Sequence, residues 1–387
     1  MKARRNATRP LARATRRVVA FLVLAAAATG TSATPCPPPP VAAMVVTAGD
    51  AGVDRDRWLD ALAARRVVVI GEAHDRYEQH LVQLAVICGL RERGLDVAVG
   101  LEAFQQPFQA VLDDYVAGRI DLRTALARSE YYERWRFDHR LYAPILEYAR
   151  SQRLPLVALN VPVEITRKVG RGGIESLDAR ERAAIPVHIP APSEAYRARL
   201  AAILDLHPDP GGRDPDRFVQ VQSLWDEGMA ERAVRHLADN PRSTLVVIAG
   251  VGHVGYEGAI PDRIRRRGQP SVATVISADA LEHQASADYV FEVEPLEAPR
   301  GGLLGVMVRV DGSRVLVDAF SDDSAARDAG LLPGDRLVSV QGRPVSRFAD
   351  VRLALLDTVP GDEAALEVER DRPQSPPMRM AVRFFLR

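Results

Sequence analysis

The chain has 387 residues, of which 47% are hydrophobic and 26% are charged. This length allows two domains with a large core, and the composition excludes a chain that is disordered throughout. Its 51 basic and 51 acidic side chains balance each other, which gives no electrostatic reason to expect a nucleic-acid partner.

The N-terminus has the layout of a secretory signal, because basic residues precede an apolar run, Val18–Ala28, and small residues follow. The run is too short to span a bilayer. We predict a signal peptide over residues 1–35, a proline-rich spacer over 36–43, and export to the periplasm or outer membrane. Cys36 suggests lipid attachment, whereas Pro35 before it is not the small residue that lipoprotein processing usually takes. A lipoprotein and a lipid-free exported protein both stay open, and a lipid on Cys36 would be the chain's one membrane contact.

Residues 44–297 alternate between strand and helix patterns. The strand patterns are runs rich in β-branched residues at 67–70, 97–101, 154–159, 245–249 and 272–276. Amphipathic helical patterns between them predict an α/β fold with a mostly parallel sheet flanked by helices. Residues 162–239 are helical in pattern throughout and predict a helical subdomain, and residues 289–293 predict an edge strand.

The last segment, residues 301–387, combines short strand patterns with one helix pattern. GLLGV at 302–306 and SAARDAGLLPGDRLVSVQGRPV at 324–345 together resemble a bacterial PDZ domain. The resemblance implies a small β-rich domain that takes a partner's C-terminal peptide as an added strand. Its carboxylate would be held by the N–H groups around Leu303, Leu304 and Gly305. The alternative is a docking domain whose groove is filled by its own chain.

Two segments of the α/β region end in Gly-x-x-His: VVVIGEAH at His74 and VVIAGVGH at His253. Because the carboxyl ends of parallel strands meet at one edge of a sheet, we expect both imidazoles at the same rim, near Glu72 and Glu102. Such a set suits a divalent transition metal with an open position for water, or acid–base catalysis without a metal. A cap, or a salt bridge from Glu102 to an arginine such as Arg167, is the structural alternative.

Several motifs of this region, in the same order, resemble the ChaN-like family of bacterial exported proteins within the Tiki superfamily. They are GEAHDRYEQHLVQL, the Glu of VGLEAF, RWRFDHRLYAPILEYAR, PLVALNVP, QSLWDEGMAE and IAGVGHVGYEGAIPDRI. The resemblance implies a protein of iron or haem uptake with an α/β core and a helical subdomain. The superfamily pattern of two Gly-x-x-His motifs and a Glu maps onto His74, Glu102 and His253. Some superfamily members are similar in being metal-dependent proteases.

Haem requires a His or Tyr donor beside a flat apolar surface, and arginines for its propionates. An aromatic cluster between residues 131 and 142, flanked by arginines, meets this description, and we expect His139, Tyr142 and Arg136 to bind haem. A helix–helix core seam is the alternative interpretation. We expect Asn160, Arg167 and Asp226 to support the site from neighbouring elements.

We therefore predict an exported haem- or iron-binding protein of iron uptake with a peptide-binding PDZ-like domain. The alternative is a metal-dependent hydrolase, such as a peptidase, in which His74, Glu102 and His253 hold the metal and Glu72 is the general base. A non-enzymatic envelope scaffold is the third candidate. The sequence leaves the oligomeric state open, although a haem face shared between two copies would make a homodimer.

Overall fold

The computed structural model describes residues 44–47, 50–206, 214–283, 285–372 and 374–387. The predicted signal peptide, the proline-rich spacer and Cys36 lie outside these residues. Within the described part of the chain, no helix combines the length and the apolar character that crossing a membrane requires.

The first sheet contains eight strands of the described chain. They are β1 (Met44–Thr47), β2 (Asp50–Val53), β3 (Val67–Glu72), β4 (Asp96–Gln105), β5 (Leu156–Asn160), β6 (Ser243–Gly250), β7 (Val272–Ser277) and β8 (Tyr289–Glu292). Their order is β2-β1-β8-β7-β3-β6-β4-β5, and all pairs from β8 to β5 are parallel. The predicted mostly parallel sheet is confirmed. The predicted edge position of residues 289–293 is wrong, because β1 and β2 pair antiparallel outside β8 and place it inside the sheet.

Helices cover both faces of this sheet. They are α1 (Arg55–Ala63), α2 (Tyr77–Glu92), α3 (Gln109–Val116), α4 (Leu122–Arg128), α5 (Tyr131–Arg134), α6 (His139–Gln152), α7 (Val163–Gly172), α8 (Ala179–Ala183), α9 (Glu194–Leu206), α10 (Pro215–Asp239) and α11 (Ile260–Arg266). The continuous apolar run of β3 follows from this double cover. Val68 and Ile70 face one core cluster, whereas Val67 and Val69 face the other.

A second, antiparallel sheet forms the C-terminal region. Its elements are β9 (Val306–Asp311), β10 (Arg314–Phe320), α12 (Ala325–Asp328), β11 (Arg336–Val340), β12 (Arg343–Pro344), α13 (Phe348–Ala354), β13 (Glu363–Arg372) and β14 (Ser375–Phe385). The strand order is β14-β13-β11-β10-β9, with β12 paired to β11, so β9 is an edge strand. A β-rich C-terminal domain is thus confirmed.

Helix α13 has two buried faces. Val351 and Ala354 belong to the core of the antiparallel sheet, whereas Ala349 and Leu353 belong to the main core of the α/β region. The two parts of the chain therefore share this helix. Because large apolar contacts resist separation, the shared helix restricts how the two sheets move relative to each other.

Candidate functional site

The carboxyl ends of four parallel strands bring polar groups to one rim. Glu72 is the last residue of β3 and lies opposite Gly250, the last residue of β6. Glu102 lies in β4 where its register with β5 is broken by a bulge, and Asn160 ends β5. A bulge beside a functional site redirects a side chain that regular pleating would place elsewhere. The rim therefore gathers groups from distant parts of the sequence.

The first histidine of the rim is tied to a buried carboxylate two residues before it. His74 Nδ1 lies 2.9 Å from Glu72 Oε1, which also accepts the hydroxyl of Tyr142, and Gln83 Nε2 donates to Glu72 Oε2 at 2.7 Å. Burial opposes ionisation of Glu72, but the charge of His80 and the hydrogen bond with His74 outweigh it and lower its pKa to about 2. Glu72 does not fit the predicted role of general base, because both oxygens are engaged and a carboxylate of this pKa is a weak base.

The second histidine is tied to a carboxylate from a distant helix. His253 Nδ1 lies 2.6 Å from Oδ1 of Asp226 on α10, and the Tyr196 hydroxyl donates to Asp226 Oδ2 at 2.7 Å. Asp226 is fully buried. Burial opposes the charge on His253, but the negative charges of Asp226 and Glu102 raise its pKa to about 9. This pKa favours the protonated imidazole, so a ligand that binds through Nε2 has to displace its proton.

Glu102 lies between the two histidines. Its Oε2 accepts the N–H of Gly250 at 2.7 Å, and its Oε1 is 3.6 Å from His253 Nε2. The His74 ring lies against Gly250 so closely that an added Cβ would be 2.9 Å from His74 Nε2. Burial opposes protonation of His74, but Glu72 and Glu102 raise its pKa above the usual value. The structure thus brings His74, Glu102 and His253 together.

Of the predicted supporting residues, Asn160 contacts Glu102 and Arg167 does not. Asn160 Nδ2 donates to the Glu102 carbonyl at 3.1 Å, while its Oδ1 is buried without a hydrogen-bond partner. Arg167 is exposed on α7 and forms no ion pair with Glu102, so the alternative of a salt bridge between them is wrong. In the described residues, no group of three or more His, Cys, Asp and Glu side chains is placed to hold a metal ion. The metal set stays a prediction.

Aromatic rings border the two histidines. The Trp135 and Phe137 rings lie 4.6 and 5.0 Å from the His74 ring, centroid to centroid. The Trp225 ring meets the His253 ring edge to face at 6.1 Å. All three aromatic side chains are partly exposed. The rim therefore offers apolar surface beside polar donors.

The predicted haem donors lie beneath this surface. His139 is 5% exposed and its Nδ1 shares a 2.7 Å hydrogen bond with the Tyr132 hydroxyl, and Tyr142 is 1% exposed with its hydroxyl on Glu72. Neither side chain is open to a ligand, so their assignment as haem ligands does not fit the structure. Arg136 is exposed, at a left-handed φ of 72°. Four of the six ring side chains between residues 131 and 142 are core, as the seam interpretation expects, and the other two, Trp135 and Phe137, are partly exposed.

Sequence reasoning missed three supporting side chains. His80 and Gln83 both contact Glu72 from the first half of α2, and Tyr196 reaches Asp226 from α9. The spacing of three between His80 and Gln83 puts them on one helix face and was an available signal. Tyr196 had no such signal, because nothing local relates α9 to Asp226.

The predicted peptide-binding loop precedes the edge strand β9. The Leu303 N–H donates to the Arg387 carbonyl at 2.8 Å, so it is not free for a ligand, and this part of the prediction is corrected. Leu304 is buried, and Gly305 has a φ of 75°. Their two N–H groups donate no hydrogen bond to any part of the chain that the structure describes. The loop keeps two free backbone donors next to an open strand edge.

Two family sequence models match the chain. The model described as "Haem-binding uptake, Tiki superfamily, ChaN" matches residues 58–264, and the PDZ domain model matches residues 302–375. The first match spans more than half of the chain and contains the rim; the second contains the peptide-binding loop.

Individual proteins give more distant matches. Protein RETICULATA-RELATED 5, chloroplastic, of Arabidopsis thaliana is 26% identical over 237 residues, which are 56% of this chain and 31% of that protein. The chain therefore spans about a third of that relative's length. The solved structure titled "Cofacial heme binding to ChaN of Campylobacter jejuni" is 16% identical with a TM-score of 0.49, covering 64% of this chain and 96% of that one. The PDZ domain of a carboxy-terminal protease from Vibrio cholerae, in complex with peptide, is 18% identical with a TM-score of 0.19 and covers 23% of this chain and 97% of that one.

Proposed function

The chain belongs to the haem-binding uptake family ChaN of the Tiki superfamily and carries a PDZ domain, and we propose that it is an exported protein that binds haem at the histidine rim for iron uptake. Haem is here a cargo molecule. The PDZ domain would attach this haem carrier to the C-terminus of a partner protein.

One observation carries the haem proposal: the rim presents two imidazoles, each with Nδ1 committed to a carboxylate and its ring beside aromatic side chains. A carboxylate on Nδ1 fixes the orientation of a histidine and leaves Nε2 as the donor. His74 and His253 keep 26% and 13% of their side-chain surface exposed. Trp135, Phe137 and Trp225 supply the apolar surface that a porphyrin face requires. These residues fit haem, and an imidazole would supply its axial ligand.

The PDZ proposal rests on the edge strand and the loop before it. A peptide that pairs with β9 would continue the antiparallel sheet. Its terminal carboxylate would accept hydrogen bonds from the free N–H groups of Leu304 and Gly305. Export, by contrast, rests on the N-terminal signal pattern alone. We place the protein in the periplasm or at the outer membrane, with a lipid on Cys36 as its anchor if it is a lipoprotein.

Haem titration tests the main proposal. We expect a shifted Soret band on adding haem to the folded chain, and affinity at least about tenfold weaker when the histidine that ligates iron is replaced. His74→Ala and His253→Ala identify that residue, and the exposed His188→Ala serves as the matched control. A spectrum equal to that of free haem, with the wild-type chain folded by circular dichroism, would contradict the proposal.

A metal-dependent hydrolase is the second candidate, favoured by the same two histidine–carboxylate pairs. Carboxylates on the Nδ1 atoms of metal-binding histidines are a general feature of zinc sites. Both oxygens of Glu72 are engaged in hydrogen bonds, so Glu102 is the carboxylate at the rim better suited to such chemistry. Metal analysis of the purified protein tests it: metal bound at one equivalent, lost in His74→Ala and His253→Ala, together with no Soret shift, would reverse the order of the two candidates.

A further inference from the structure

A cleft next to the rim is not used by the site described above. It lies between α7 and α10, has a volume of about 540 Å³, and falls within the range of small-molecule pockets. Val163, Phe218, Val221 and Trp225 give it apolar walls, and the charged residues that line it are Arg167, Arg217 and Asp214. The cleft therefore combines an aromatic lining with a positive charge.

Trp225 connects the cleft to the rim. Its ring meets His253 edge to face at 6.1 Å, and the same side chain lines the cleft. A flat ligand seated beside His253 would therefore lie beside the mouth of this cleft. The common wall makes the cleft an extension of the site.

Of the two arginines that line this cleft, Arg167 has the less engaged guanidinium. Arg217 also lines the cleft, but its Nε pairs with Asp214 at 3.2 Å and its Nη1 donates to the Arg171 carbonyl at 2.5 Å. Glu164, on the same helix as Arg167, is held by Arg134. The Arg167 side chain forms no hydrogen bond or ion pair within the described residues, although its charge helps to lower the pKa of Glu164. A guanidinium in this state is suited to a carboxylate from a ligand.

We propose that the α7–α10 cleft receives the acid-bearing edge of a planar apolar ligand, and that Arg167 selects this ligand by pairing with its carboxylate. The inference rests on the proposed haem function and assigns the propionate end to this cleft. Arg167 then takes the role that sequence reasoning gave to Arg136. Trp225 is the wall that aligns the ring system.

Haem and its dimethyl ester distinguish a carboxylate contact from simple burial. We expect the wild-type chain to bind haem about tenfold more tightly than the ester, since the ester has no negative charge to pair with the guanidinium. Arg167→Ala should bind haem and ester equally, at the wild-type affinity for the ester, and Arg167→Lys should restore part of the preference. Arg171→Ala, an exposed arginine on the same helix that does not line the cleft, is the control and should behave as wild type.

If Arg167→Ala still binds haem more tightly than the ester, the inference is wrong, but the proposal that the chain binds haem stands. A second probe separates the two proposals when haem does not bind. Anilinonaphthalene sulfonate, an aromatic anion, should gain fluorescence with the wild-type chain and lose about tenfold in affinity in Arg167→Ala but not in Arg171→Ala. Binding of this dye that is independent of Arg167 would overturn the inference; Arg167-dependent dye binding without haem binding would support the cleft as an anion site and contradict the haem function.

Discussion

The two Gly-x-x-His motifs place their histidines at the same rim, but the carboxylate that holds each histidine comes from a different part of the chain. His74 takes its carboxylate from its own motif, where Glu72 is two residues away, and Glu72 is held by α2 and α6. His253 takes its carboxylate from Asp226, 27 positions earlier on α10. The first pair is thus set by local sequence, and the second depends on how a helical subdomain docks on the sheet. The same local motif therefore places a histidine without fixing what orients it.

The largest expected effect comes from breaking the second pair. Asp226 is fully buried and balances the imidazolium of His253, with Arg263 4.0 Å away. Asp226→Ala removes the nearest counter-charge of His253, which then has only Glu102 at 3.6 Å, while Arg263 keeps Glu227, so we expect a loss of about 3–5 kcal/mol in the free energy of unfolding. Denaturant unfolding measures it, with the exposed Asp239→Ala on the same helix as a control that stays within about 0.5 kcal/mol of wild type. Equal stability of the two variants would show that Asp226 is not a structural counter-charge.

The pH dependence of stability separates the two pairs. The folded pKa of Glu72, about 2, lies below its ordinary value of 4.5, so its contribution is present above pH 4.5 and is lost as the pH falls towards 2. The folded pKa of His253, about 9, lies above the ordinary 6.5, so its contribution is present below pH 6.5 and is lost as the pH rises through 9. Each shift corresponds to about 3 kcal/mol.

Denaturant unfolding at pH values from about 3 to about 10 tests which group causes each loss of stability. We expect His253→Gln to flatten the alkaline side of the stability curve and Glu72→Gln to flatten the acid side. An alkaline limb that is unchanged in His253→Gln would assign the loss to another group.

The contrast also explains what the sequence could predict. The strands of the parallel sheet and the meeting of His74, Glu102 and His253 followed from β-branched runs and from the rule that strand ends share one edge. Asp226 could be predicted as a supporting residue, but its contact with His253 depends on the docking of α10. The side of a helix that faces the core is set by tertiary packing.

The errors have the same physical origin. His139 and Tyr142 lie in a segment whose aromatic composition suits either a ligand surface or a core. Both side chains are buried because α13 and α2 pack over them. Strands β1 and β2, which displace β8 from the edge, carry no apolar alternation long enough to predict them. Local pattern thus placed the elements, while non-local contacts decided which side chains remain open.

A smaller effect comes from the tyrosines that donate to each carboxylate. Asp226 Oδ2 accepts from Tyr196, with Arg263 no closer than 4.0 Å, whereas Glu72 keeps Gln83 and His74 when Tyr142 is lost. We expect Tyr196→Phe to lower the free energy of unfolding by about 1.5–3 kcal/mol and Tyr142→Phe to lower it by about 1 kcal/mol. The buried Asp226 carboxylate loses the donor to one of its oxygens, whereas Glu72 keeps two partners, and a buried carboxylate oxygen without a donor is the more costly defect. Thermal and denaturant unfolding of both variants measure the difference. A larger cost for Tyr142→Phe would reverse the ranking of the two supports.

The most local expected effect concerns the glycines of the second motif. Gly250 has an ordinary φ of −55°, so it is not required for a turn. It is required for space, because a Cβ there would lie 2.8 Å from Cε1 of the His74 ring. A Cβ on Gly252, two residues later in the same motif, would meet nothing within 4 Å.

Gly250→Ala should therefore cost about 1–3 kcal/mol and displace the His74 ring, whereas Gly252→Ala should stay within about 0.5 kcal/mol of wild type. Histidine NMR signals report the displacement directly, and haem titration of the same two variants reports its effect on the rim. The glycine of the second motif thus makes room for the histidine of the first, which couples the two halves of the site through backbone contact. An unmoved His74 signal in Gly250→Ala would show that the rim has room to adjust and that the two motifs act independently.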